Sequence, residues 1–224
     1  MVPSSAKKIA LWAGASILLA LAVREYLGYH FFYEYKEVRS SARSIEGSLS
    51  QLEKNLKRAV FFSKNPVFYK EMARLYLEMA LAENEFGTEE RRDFYLDAAK
   101  ESLIELIRRN PIDAFAYFEM GKVYMLYNFP LLTYMDRGRF YLRKALEFKP
   151  ADEFLNLNII YIYLTQWDFL EEGEKSFILE RLERMREANQ NFIPQLRKSW
   201  RENFGNEDKL EQILKKYTEN HSCI

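Results

Sequence analysis

The sequence predicts an all-α protein in which an N-terminal membrane helix precedes a stack of antiparallel helix pairs. Three observations predict it. The run Ile9 to Val23 holds nothing more polar than Gly14 and Ser16. From Val38 onward, apolar residues recur at spacings of three and four, the period of one helix face. Asn65-Pro66, Asn110-Pro111 and Lys149-Pro150 punctuate these patterns, with 45 and 39 residues between successive prolines. A period near that length signals paired-helix repeats. Eight Gly and six Pro in 224 residues are few for an all-β chain, which would turn about every 8–12 residues.

Residues 1–8 form a short tail with Lys7 and Lys8. At ~1.5 Å per residue, the apolar run covers about 22 Å, short of a ~30 Å hydrocarbon core. Lys8 and Arg24 can snorkel from its ends. Tyr26, Tyr29, Phe31, Phe32, Tyr33 and Tyr35 follow, and such aromatics favour the membrane–water interface. Residues 9–33 are therefore read as a transmembrane anchor with an aromatic stem. Two other readings exist: a signal peptide cleaved after Ala20-Leu21-Ala22, and a buried core helix. The aromatic stem after Val23 holds no Pro, and Gly28 is only a weak breaker, so the helix is expected to run on. The flanking charges nearly balance. The short N-terminal tail favours a single pass with the rest of the chain on the non-cytoplasmic, periplasmic side.

Residues 34–64 are expected to form an amphipathic linker or capping helix. Its stripe is Val38, Ala42, Ile45, Leu49, Leu52, Leu56 and Ala59. Such a stripe either packs on the following domain or pairs two copies, so a homodimer through residues 38–59 stays open. Residues 65–190 read as helix pairs. A helix start is expected near Glu89, between Thr88 and Asp93. Asp113 and Asp152 stand as N-caps, and Asp168 is a candidate cap after Trp167. Residues 191–224 are expected to close the stack. There Phe192, Leu196 and Trp200 make one stripe and Leu210, Ile213, Leu214 and Tyr217 another, with Pro194 in a first helical turn.

The central segment carries a repeated spacing. One unit has Tyr117, Met120, Gly121 and Tyr124 on its first helix, then Gly138, Leu142, Ala145 and Pro150. The preceding unit has Tyr69, Met72, Ala73 and Tyr76, then Ala99, Leu103, Leu106 and Pro111 at the same offsets. A third has Asn156, Ile159, Ile160 and Tyr163, then Gly173 and Phe177. These units resemble tetratricopeptide (TPR) repeats, which implies an α-solenoid over residues 65–190. Tyr76 to Ala99 is 23 residues and Tyr124 to Gly138 is 14, against about nine in the family. The first unit should therefore have longer helices or an enlarged loop around Glu85-Phe86-Gly87. The third unit lacks a small residue at its first-helix centre and a closing Pro.

Thirty-three Lys+Arg balance thirty-three Asp+Glu. A dedicated nucleic-acid binder would carry a basic excess, so no nucleic-acid partner is expected. His30, His221 and Cys223 cannot build a His/Cys zinc site within one chain. No phosphate-cradling Gly loop, nucleophile elbow or HExxH motif is present. The expectation is a non-enzyme without catalytic residues, cofactor or metal. Glu171, Glu172 and Glu174 read as a solvated first helical turn, with paired catalytic carboxylates the remote alternative.

The TPR resemblance implies that first helices line a concave groove. Its rows would be Lys70 and Arg74; then Phe115, Phe118, Lys122 and Met125; then Phe154, Leu157 and Tyr161. Bases at one end and aromatics at the other suit a partner segment with acidic and apolar parts. The alternative is that a flanking helix covers these aromatics as core. The functional expectation is a membrane-anchored scaffold that recruits a protein partner, in the manner of assembly factors for envelope complexes. Its alternatives are a permanent structural subunit of a membrane complex and a periplasmic protein released by signal cleavage.

Overall fold

A computed structural model of the protein describes residues 4–41, 45–127, 135–203, 205 and 207–221, and among them no strand occurs. The α-helices in chain order are α1 (Ser4–Ser41), α2 (Ile45–Phe62), α3 (Pro66–Phe86), α4 (Glu89–Arg109), α5 (Ala114–Tyr127), α6 (Met135–Phe148), α7 (Glu153–Thr165), α8 (Glu172–Ala188), α9 (Phe192–Asn203) and α10 (Glu207–His221). A short 3-10 turn, Trp167–Phe169, separates α7 from α8. The fold is all-α, with sequential helices packed as neighbours. The chain divides into two units, residues 1–112 with 123–132 and residues 113–122 with 133–224.

In the first unit, α1 runs without interruption past the end of the apolar stretch, as the lack of a breaker predicts. Its span from Ile9 is long and apolar enough to cross a membrane, and its most apolar window is wholly exposed. Every residue from Ile9 to Tyr26 is exposed, and burial begins at Gly28. From there the same helix enters the fold. Tyr35 is fully buried with Leu52 and Leu56 of α2 and Leu75 of α3. Each buried Leu contributes about 1.5–3 kcal/mol relative to exposure.

The helix at 38–59 differs from the expectation. α1 ends at Ser41 and α2 begins at Ile45, and α2 folds back along α1. Ser40 and Ser41 direct their hydroxyls to the Glu37 carbonyl, both at 2.9 Å. Serines that bond the local backbone compete with helix continuation. The antiparallel course is fixed by Arg24 donating to the Phe62 carbonyl at 2.6 Å and by Phe31 stacking on Phe62. Leu52, Leu56 and Ala59, the inner half of the stripe, are buried within the chain. Ala42 lies outside the described residues. Gly28 lies close against the end of α2: a Cβ there would sit 3.3 Å from the Ala59 carbonyl and 2.5 Å from Cβ of Ser63, just past the helix.

α3 lies parallel to α1. Phe32 stacks on Phe68 at 4.6 Å, and Arg39 pairs with Glu78 at 2.5 Å, so both helices advance together. α3 starts where Asn65 accepts from the Val67 amide at 2.9 Å, with Pro66 in its first turn. α4 starts at Thr88, whose hydroxyl accepts from the Arg91 amide at 3.3 Å. Both helices are 21 residues long, joined through Gly87 and Thr88. The long interval between Tyr76 and Ala99 is therefore taken up by longer helices, not by a larger loop. Ala73 and Ala99 are both buried, as crossing residues should be.

The second unit has one continuous core. Leu142, Ala145, Leu155, Ile159, Ile160, Leu164, Ile178, Phe192, Leu196 and Trp200 are all fully buried in it. Gly121 sits at a close crossing: a Cβ there would lie 2.5 Å from Leu142 Cδ2 and 3.2 Å from the Gly138 carbonyl. The N-caps at Asp113 and Asp152 form, accepting from Ala116 at 3.2 Å and Leu155 at 3.0 Å. α9 and α10 close the core with Phe192, Leu196, Trp200, Leu210, Ile213 and Leu214. The side chain of Tyr217 lies outside those described. Gly205 turns the chain between them with φ of 71°, in the left-handed region.

Two local expectations fail in α8. Asp168 lies in the 3-10 turn and pairs with Lys209 at 2.7 Å. The cap residue is Glu171, whose amide donates to Glu174 Oε2 at 3.3 Å. Gly173 has nothing within 4 Å of a built Cβ, so it is no crossing residue. Besides its apolar core, the third pair carries a polar tie. The Arg181 Nε donates to Asn156 Oδ1 at 2.6 Å, and its Nη2 to the Pro150 carbonyl. Asn156 Nδ2 also donates to the Pro150 carbonyl at 3.0 Å.

Candidate functional site

The groove positions inferred from the resemblance divide between the units. Lys70, Arg74 and Met125 belong to the first; Phe115, Phe118, Lys122, Phe154, Leu157 and Tyr161 belong to the second. On α3, Lys70 is half-buried and Arg74 exposed, with buried Glu71 between them. Glu71 accepts from Tyr35 at 3.2 Å and pairs with Lys36 at 3.0 Å and Arg74 at 3.6 Å. The basic row thus carries its own counter-charge. Met125 is half-buried.

In the second unit the aromatic rows part company. Phe118 is core, only 3% exposed. Tyr161 packs edge-on against Trp200 of α9, centroids 5.6 Å apart, so a flanking helix does cover that end of α7. Leu157 packs against the same core, half-buried. Phe154 remains 56% exposed, and its ring meets Phe115 at 6.1 Å and Phe118 at 6.0 Å. Lys149 lies 4.8 Å over the Phe115 ring, and Lys122 lies 5.2 Å over Phe118 while pairing with Glu119. What stays accessible is a small aromatic patch around Phe154 and Phe115, bordered by cations.

The first unit also has a cleft of about 390 Å³ between α2, α3 and α4. Tyr69, Met72, Tyr76 and Phe94 give it an apolar floor, and Glu53, Asp97, Glu101 and Glu105 ring it with carboxylates. Tyr76 donates to Glu53 at 2.8 Å, and Lys57 pairs with Glu53 at 2.6 Å. Burial raises the Glu53 pKa, but the bonds from Lys57 and Tyr76 outweigh it and hold the carboxyl below the ordinary range. Burial and the Glu53 bond push the Tyr76 phenol up. Sequence reading missed this cleft, although Asp97, Glu101 and Glu105 stand four apart and so share one face of α4. What could not be read was that α2 returns opposite that face.

The acidic run at the start of α8 is also not a solvated turn throughout. Glu174 is 13% exposed and pairs with Arg139 at 2.7 Å and Arg143 at 3.6 Å. Arg139 further offers its carbonyl to the Tyr163 hydroxyl at 3.3 Å, and burial pushes that phenol up to about 12. Tied to two guanidinium groups, Glu174 joins α6 to α8. Among the described residues, no cluster of three or more His, Cys, Asp or Glu side chains is placed to hold a metal ion. No family model matches the chain, and no curated protein matches it.

Proposed function

We propose that this protein is a non-catalytic, membrane-anchored scaffold of TPR-like helix pairs that recruits a protein partner. The observation that carries this reading is the continuity of α1. One helix is exposed and apolar from Ile9 to Val23, then becomes part of the fold from Gly28 onward. Arg24 and Glu25, immediately after the apolar run, are tied to Phe62 and Ser63. A cut after Ala22 would sever α1 within three residues of Arg24 and Glu25, both held by the folded unit. That geometry supports a retained anchor over a cleaved signal. The repeat spacing at Gly121, with its close approach to Leu142, supports the TPR-like reading of the central pair.

The partner reading rests on the Phe154–Phe115 patch and its bordering Lys122 and Lys149. Exposed Phe154 beside half-buried Phe115, with Lys122 and Lys149 at the border, suits an apolar side chain with an acidic neighbour. Carbonate extraction followed by intact-mass measurement tests the anchor. Retention in the membrane at full-length mass is expected, and a mature N-terminus at Val23 would establish the secreted alternative. For the partner, mild-detergent pull-down is compared between wild type and Phe154→Ala. Loss of the co-purifying protein is expected; unchanged capture by folded Phe154→Ala would remove the patch from consideration.

A further inference from the structure

We propose that the tip of the first unit beside the anchor is itself a membrane-docking surface, seated in the interface of a bilayer containing anionic phospholipid. The proposal rests on the anchor reading. The α2–α3 turn is pinned against α1 by three bonds: Arg24 Nε to the Phe62 carbonyl at 2.6 Å, Ser63 Oγ to Glu25 at 2.6 Å, and Asn65 Nδ2 to Tyr29 Oη at 2.7 Å. The tip therefore starts level with the end of the apolar run. It also reaches past it. Phe61 and Phe62 line a crevice of about 710 Å³ with Ser16, Leu19, Ala20 and Val23 of α1. Leu19 is five residues before Arg24, or about 7 Å deeper along the helix axis. Phe61 and Phe62 thus flank the apolar segment. If that segment is in hydrocarbon, these rings are at membrane depth.

The rest of this end matches such a setting. Phe61 is 73% exposed although it is a large apolar ring. α4 returns to the same end, because Arg109 lies 5.2 Å over the Tyr69 ring near the start of α3. Just beyond it Ile112 is exposed, as is Val67 at the head of α3. Around these apolar side chains stand Arg24, Arg58, Lys64 and Arg108, all exposed. The nearby carboxylates are already engaged, Glu25 with Ser63 and Glu105 with Arg108 and Arg109. Exposed aromatics and aliphatics ringed by cations form the pattern of an interfacial surface drawn to anionic headgroups. The folded unit then sits on the bilayer, not on a stalk above it, and the crevice beside Leu19 and Phe61 takes a lipid acyl chain.

The test uses the full chain in a Cys223→Ser background, carrying one fluorophore at Leu18→Cys, Phe61→Cys or Phe94→Cys. Ile112→Cys serves as a second reporter of the same tip should Phe61→Cys misfold. Phe94 is the control, because it is 63% exposed yet lies fifteen residues along α4 from Arg109, about 22 Å away. Each protein is reconstituted into phosphatidylcholine vesicles with or without phosphatidylglycerol, containing nitroxide lipids labelled shallow or deep. The Leu18 probe is expected to be quenched by deep labels. The Phe61 probe should be quenched by shallow labels, about threefold or more above Phe94, and more so with phosphatidylglycerol. Lys64→Glu/Arg108→Glu should lower that gain. If Leu18 is quenched and Phe61 behaves like Phe94, docking is overturned while the anchor stands. If Leu18 is not quenched, the anchor reading itself fails and docking with it. Equal Phe61 quenching in both lipids overturns the anionic preference. Shielding of Phe61 that grows with protein-to-lipid ratio overturns docking in favour of contact with a second copy.

Discussion

Replacing Gly121 with alanine puts a methyl group where α5 and α6 meet. Its Cβ would lie 2.5 Å from Leu142 Cδ2, 2.7 Å from Leu142 Cγ and 3.2 Å from the Gly138 carbonyl. Ordinary carbon contacts begin near ~3.5 Å, so Leu142 must retreat by about 1 Å. It is fully buried and has packed neighbours behind it. Overpacking of this kind typically costs about 1–3 kcal/mol, while alanine regains about 1 kcal/mol of helix propensity over glycine. The net expectation for Gly121→Ala is a loss of about 0–2 kcal/mol. Gly121→Leu should reach the upper end of the overpacking range, because its branch cannot be absorbed by one neighbour. Urea unfolding of the full chain in mild detergent, followed by tryptophan fluorescence, reads this unit through Trp167 and buried Trp200. With a slope of about 1–2 kcal/mol per molar urea, a loss of 2 kcal/mol lowers the midpoint by about 1–2 M. A double-mutant cycle with Leu142→Ala sharpens the test. Leu142→Ala alone should cost about 2–5 kcal/mol, and less in the Gly121→Ala background by about 1 kcal/mol or more. Strict additivity of the two changes, or a stabilising Gly121→Leu, would refute the close crossing and with it the repeat register.

Gly28→Val should destabilise the first unit by about 1–3 kcal/mol, because its Cβ meets Ser63 Cβ at 2.5 Å and Ser63 N at 3.1 Å; faster proteolysis at the α2–α3 turn is the readout, with partial rescue by Ser63→Gly. The stabilising effect of Glu53 should depend on pH with a definite sign. Its folded pKa is lowered, so its contribution is present above the ordinary glutamate pKa and is lost as pH falls through the folded value. Glu53→Gln should therefore lower the melting temperature at pH 7 more than at pH 3, and an equal shift at both would count against the Lys57–Glu53–Tyr76 arrangement. Arg181→Met should cost the second unit about 2–3 kcal/mol by leaving Asn156 and the Pro150 carbonyl short of a charged donor. Arg181→Lys should not restore it, since one ammonium cannot reproduce the guanidinium fork; full rescue in urea unfolding would show that charge alone matters.

What depends on neighbours along the chain could be read from the order of residues. Helical period, Pro punctuation and capping residues are local, so Asn65-Pro66 marked a break between helices, and Thr88, Asp113 and Asp152 marked helix starts. Gly121 was legible because its offsets from Tyr117 and Tyr124 recur at Ala73 between Tyr69 and Tyr76. The apolar run was legible from composition alone. The tertiary structure decided everything that depends on which face meets which. Gly28 reads as a weak helix breaker in the sequence, yet in the fold its missing side chain leaves room for Ser63 and the Ala59 carbonyl. The stripe from Val38 to Ala59 has an unbroken heptad period, and only the antiparallel packing of α2 on α1 turns it from one helix into parts of two. The TPR resemblance implies that Phe118 and Tyr161 line an exposed groove, but the unit's core takes in Phe118 and α9 packs on Tyr161, while Phe154 stays out. The same holds for the tip at Phe61. Its sequence says only that two phenylalanines end a helix, and the fold alone sets them beside Leu19 and Val23. Periodicity fixes which residues share a face of one helix, but the rotation of that helix against its neighbours is set by packing among distant segments.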